Sequence, residues 1–97
     1  MNEKYIQALR DAIQHTHECA SRYIETIPIC ETFRDKIVWQ GNVEVFDLAG
    51  HPKASQCYAW GFQDDSGKWQ YVAVLKIHPA DTPLNAVRAY ILSKRAP

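Results

Sequence analysis

Apolar and small residues first recur at spacings of three and four, at Ile6, Leu9, Ile13, Thr16, Ala20, Tyr23/Ile24 and Ile27. That spacing draws one stripe along a helix, with Glu3, Gln7, Asp11, Gln14, Glu18, Arg22 and Glu25 off the stripe. It predicts a single long helix over 3–26. Pro28 closes the segment, because the residue before a proline is pushed away from helical dihedrals. Residues 28–36 then read as an irregular connection anchored by Ile29 and Phe33.

From Ile37 the period drops to two, the signature of strands. Strands are predicted over 37–48, 55–63 and 69–78, the first with a bulge or bend at Gly41-Asn42. A turn over 49–54 joins the first two. The loop Asp64-Asp65-Ser66-Gly67-Lys68, with its glycine late, makes a hairpin of the last two. Thr82 caps a final helix with Pro83 at its first position, and Leu84, Val87 and Ile91 form its inward stripe.

The predicted order is α-β-β-β-α. The simplest packing is an α+β two-layer sandwich: a three-stranded antiparallel meander with both helices on one face. One helix on each face is the alternative. No linker, repeat or low-complexity tract interrupts the chain, so 1–97 is expected to form a single α+β domain.

The five-residue loop suggests a register for the hairpin. With Gln63 opposite Trp69, Tyr58 meets Val74, Trp60 meets Val72 and Phe62 meets Gln70. On the other face Cys57 meets Leu75, Ala59 meets Ala73 and Gly61 meets Tyr71. A tight first turn adds Val43, Val45 and Asp47 to the small-residue face, and Glu44, Phe46 and Leu48 to the aromatic one; a one-residue slip would exchange these sets. Small side chains leave a trough for helices. The aromatic face, Phe46, Tyr58, Trp60, Phe62, Val72 and Val74, is then left outside. An apolar centre with a polar rim is the composition of an association surface, so those six residues are the candidate interaction surface, for a second copy or another protein.

Charge narrows the function classes. Eleven Lys and Arg balance eleven Asp and Glu, so there is no basic footprint for nucleic acid or for a membrane surface. Double-stranded-RNA-binding modules share the predicted element order, but they need lysines at the start of the last helix. Here that position reads Asp81-Thr82-Pro83-Leu84-Asn85, so RNA binding is a lesser alternative. No apolar stretch approaches a membrane span, and the first residues carry no apolar signal segment. Three widely spaced cysteines, Cys19, Cys30 and Cys57, are no disulfide framework and fit a reducing cytoplasm.

Candidate chemistry is sparse. In the meander, one end of the sheet gathers Asp47, His51, Lys53 and His78, a set suited to acid–base work or to holding an anion. No nucleophile completes it, since Cys57 is expected on the face opposite His78. His15 and Cys19 stand four apart, a spacing that can share a metal, but with His17 they diverge around the helix, so no metal site is assigned. No Gly-rich phosphate loop or CxxC motif is present, and no cofactor is expected. The sequence therefore points to a small cytoplasmic, non-enzymatic interaction or accessory domain, homodimeric through its aromatic face. The alternative is a small-molecule (anion) binding protein or minor enzyme using the polar end.

Overall fold

A computed structural model describes residues 2–95. Its elements are α1 (Glu3–His17), β1 (Ala20–Phe33), β2 (Lys36–Ala49), β3 (Gln56–Gln63), β4 (Trp69–Leu75) and α2 (Pro83–Arg95). The strands form one antiparallel sheet in the order β1-β2-β3-β4. The chain is thus a small α+β fold with four strands rather than three.

The extra strand comes from the segment expected to prolong the first helix. Asn2 starts α1, its Oδ1 accepting from the backbone N–H of Lys4 at 2.9 Å and of Tyr5 at 3.3 Å. The helix stops at Glu18, which adopts a left-handed conformation (φ 56°) while its N–H donates to Gln14 O at 2.9 Å. Beyond it, Tyr23, Ile24, Thr26, Ile27 and Ile29 favour a pleated strand, and that preference prevails over the helical spacing. The expected irregular connection is the end of β1 and a tight hairpin. Arg34 and Asp35 both have positive φ, as two-residue turns matched to strand twist require. Pro28 is tolerated because β1 lies at the sheet edge.

The β3–β4 register matches the expectation at every pair, from Cys57↔Leu75 to Gln63↔Trp69. The β2–β3 register is the slipped one: Val45 pairs with Tyr58 and Glu44 with Ala59. The turn is looser than expected, its last bond running from Leu48 N–H to Ser55 O at 2.8 Å. Val43 and Val45 therefore join the aromatic face, and Glu44 and Phe46 the small-residue face.

The helices lie on opposite faces, which corrects the expected two-layer packing. Leu9 and Ile13 of α1 pack on Phe46, Cys57 and Ala59. Ala86 and Val87 of α2 pack with Val43, Val45, Tyr58 and Trp60. The expected outer surface is consequently covered. Phe46 is buried beneath α1, while Tyr58 and Trp60, 3% and 2% exposed, are buried beneath α2. Phe62, Val72 and Val74 are half-buried against the same cluster. The physical reason is volume: each sheet face is apolar enough to need a helix, and a second helix on the small face would leave Trp60 in water. No helix among the described residues is long and apolar enough to cross a membrane.

Candidate functional site

The sheet opens along its middle. β2 and β3 pair only from Glu44↔Ala59 to Asp47↔Gln56. Beyond Glu44, β2 pairs with β1 alone, and beyond Ala59, β3 pairs with β4 alone. In this register the next hydrogen-bonded rung would join Asn42 to Gly61. Instead the Gly61 N–H donates to Tyr5 Oη at 2.7 Å. Tyr5 reaches this point because the Asn2 cap fixes the first turn of α1 above the gap.

Glycines give the gap its shape. A Cβ on Gly61 would approach Tyr5 Cε1 and the Tyr71 ring to 3.0 Å, so both rings lie directly on its backbone. A Cβ on Gly41 would approach the Trp39 indole to 3.2 Å. Trp39 in turn meets Trp60 edge-on, with ring centroids 5.5 Å apart. On the β4 side Trp69 stacks on Tyr71 at 6.3 Å, and Tyr5 leans toward Trp69 at 6.1 Å. The result is a cleft of about 570 Å³, within the size range of small-ligand sites.

One carboxyl lines it. Glu44 is only 3% exposed, and the Thr26 hydroxyl donates to its Oε1. Thr26 Oγ1 in turn lies 2.6 Å from Tyr23 Oη, so a short hydroxyl chain backs the carboxyl. Burial raises the Glu44 pKa above the usual carboxylate value, and the Thr26 bond offsets part of this. Burial also raises the Tyr5 phenol, the Gly61 N–H partly opposes that, and the nearby Glu44 adds to the rise. Lys4, on the exposed side of α1, is the one basic residue among the described residues of the lining.

At the polar end of the sheet each of the four expected residues has its own local partners. Asp47 takes Gln56 Nε2 at 2.9 Å and Arg22 at 3.0 Å, and these two bonds hold its carboxyl below the usual range. His51 turns into its own loop, its Nδ1 accepting from Lys53 N–H at 3.0 Å and Ala54 N–H at 3.2 Å. Lys53 contributes that backbone bond while remaining exposed. His78 lies by the start of α2, 3.6 Å from Asp81. The four residues serve two turns and a strand end, because the six-residue β2–β3 loop folds back on itself.

His17 is taken up by the fold. Its Nε2 is 3.0 Å from Ala73 O, and its ring meets His51 edge-on at 6.2 Å. Among the described residues no group of three His, Cys, Asp or Glu is gathered for a metal. Cys57 is buried, and burial pushes its thiol up to about 12, with Cys19 adding to the rise; it stays protonated at neutral pH.

Of the cleft residues, the sequence reading places Trp60 and Phe62 on an outer face and assigns no role to Tyr5, Trp39, Trp69 or Tyr71. The readable signal was Gly61 opposite Tyr71, a glycine in a strand interior where another group approaches closely. Comparison with protein-family models, with curated proteins and with solved structures finds no match to this chain.

Proposed function

We propose that the protein is a non-enzymatic binding domain that takes a small ligand in the cleft between β2 and β3. The observation that carries this reading is the divergence of the two strands above Glu44↔Ala59, which leaves an aromatic-walled cleft around one buried carboxyl. Concave, mostly apolar sites with a few convergent polar groups are where proteins hold small molecules. The proposal is non-enzymatic in that it gives the ionisable groups of the described lining, Glu44, Tyr5, Tyr71 and Lys4, binding roles alone. It involves no cofactor, nucleic acid or membrane, in keeping with the balanced charge. A cytoplasmic location belongs to the same proposal and is supported by three unpaired cysteines. An NMR screen of small fragments against the full chain tests it. Shifts at Gly41, Gly61 and the Trp39 indole are expected. Shifts confined to His51 and His78 would favour a site at the polar end instead.

Self-association, or docking to another protein, is a second reading, favoured by a different surface from the aromatic face. Phe33 and Leu92 are 54% and 67% exposed. With Val38 and Ile91 they line a shallow groove beside the Glu31–Arg88 ion pair. Light scattering of the wild type and of Leu92→Asp distinguishes the two: a dimer lost in the variant supports this reading, and a monomeric wild type removes it.

A further inference from the structure

The chemistry of the cleft also specifies what kind of ligand it suits. We infer that it recognises an alkylated ammonium ion of small-molecule size, held in the gap between β2 and β3 among the aromatic side chains that line it, with Glu44 as its counter-charge. This rests on the cleft being the binding site.

Three observations converge on that class. First, the walls are rings. Trp39 lies over Gly41 on the α2 side of the sheet, while Tyr5 and Tyr71 lie over Gly61 on the α1 side, so rings border the gap at both of its mouths. Aromatic faces carry negative potential and attract cations, most strongly where water is excluded. Second, the lining holds one carboxyl, Glu44, buried among these residues and paired only in part by the Thr26 hydroxyl. An anionic ligand would meet that carboxyl and the ring faces, both repulsive. A neutral apolar ligand would leave the carboxyl uncompensated. Third, the volume of about 570 Å³ leaves room for an organic ion of this class together with the groups it carries. Lys4 and the first turn of α1 also border the cleft and oppose this field; Lys4 is exposed, so water screens its charge more than that of buried Glu44.

Alkylation matters to the match. A bare ammonium is strongly hydrated, and in exchange the described lining offers it one carboxyl and the amides of Gln40 and Asn42. Methyl groups spread the charge over an apolar surface that rings can cover. The same group occurs on free small cations and on methylated lysine side chains. The cleft is assigned to the free ion, since it is bounded by α1 on one side and by the Trp39–Trp60 pair on the other.

The test uses the full chain, choline, its uncharged carbon isostere neohexanol, and a peptide bearing one trimethyllysine. Binding is followed by amide and indole NMR shifts. Choline is expected to shift Gly41, Gly61 and the Trp39 indole, and neohexanol to bind at least about tenfold more weakly. Trp39→Leu and Glu44→Gln should each weaken choline by about tenfold while keeping the wild-type circular dichroism. Equal binding of neohexanol would overturn the cation assignment and leave a ligand-binding cleft standing. No shift at about 10 mM choline, where a millimolar site would be nearly filled, would also overturn it, and the fragment screen would judge the cleft separately. Tighter binding of the peptide than of choline would overturn the assignment to a free ion.

Discussion

Tyr5 Oη accepts the Gly61 N–H at 2.7 Å and so occupies the position that the next rung of the β2–β3 ladder would fill. A side chain from the first helix thereby satisfies a strand that its neighbour has left. This bond makes the opening between β2 and β3 a stable feature rather than a frayed edge, because a buried N–H without an acceptor is costly.

Removing that acceptor should be felt in stability. Tyr5→Phe keeps the ring over Gly61 and deletes only the hydroxyl. It is expected to lower stability by about 1–3 kcal/mol and to speed hydrogen exchange at Gly61. An unchanged denaturant midpoint would mean that water replaces the phenol at no cost.

Trp60 tests the placement of the helices. It packs against Trp39 and Tyr90 with ring centroids 5.5 Å away in each case. Trp60→Glu is expected to unfold the chain, since losing a core aromatic costs about 3–5 kcal/mol before the buried charge is counted, against a total of about 5–15. A folded, soluble variant by circular dichroism would show that the aromatic face is open.

Glu44 should leave a mark on the pH dependence. Its pKa is raised in the folded state by burial, so between the unfolded and folded values the native chain holds more protons than the unfolded one. Its contribution is therefore greatest below about 4.3, the ordinary value for glutamate, and is lost as pH rises through the folded value. Glu44→Gln removes that loss. The stability of the variant relative to wild type should increase as pH rises through this window, as read from denaturant midpoints. A constant difference would contradict the burial.

Asp64 should act in the opposite sense. Its Oδ1 accepts from the Ser66 N–H and hydroxyl and from the Lys68 N–H, and its Oδ2 from Gln70. These bonds, the Ser66 hydroxyl first, lower its pKa to about 2. The stability it lends is present above the ordinary aspartate value of about 3.9 and is lost as pH falls toward the folded value. Asp64→Ala should flatten the acid limb of the stability profile, and an unaltered limb would mean the loop bonds do not persist in solution.

Thr82 Oγ1 accepts the Asn85 N–H at 3.1 Å at the start of α2. Thr82→Ala should cost about 1 kcal/mol. An unchanged thermal midpoint would mean that α2 begins elsewhere.

Local chemistry was legible where it acted over a few residues. The Asp64–Lys68 loop set the β3–β4 register, and Thr82-Pro83 set the start of α2, because each depends on neighbours in sequence. Glu18 was not legible: a left-handed glutamate carries no residue signature of the kind glycine gives. The three-and-four spacing therefore runs on through Tyr23 and Ile27 and describes a helix where the chain forms a strand. The cleft was hidden for a related reason. It depends on the β2–β3 offset and on Tyr5 meeting Gly61, residues 56 positions apart, and nothing local encodes either.

The short join between β2 and β3 has a mechanical meaning. From Asp47↔Gln56 to Glu44↔Ala59 the sheet is a continuous four-stranded plate, and past Glu44 it is a pair of two-stranded ribbons. Ribbons twist more freely than wide sheets. The distance between Trp39 on one ribbon and Tyr71 on the other thus depends on the twist of both ribbons above that join and on the Trp39–Trp60 contact that ties them together. The Arg34-Asp35 turn at one tip and the Asp64 loop at the other each close one ribbon, so the shape of either turn bears on the cleft from a point remote from it.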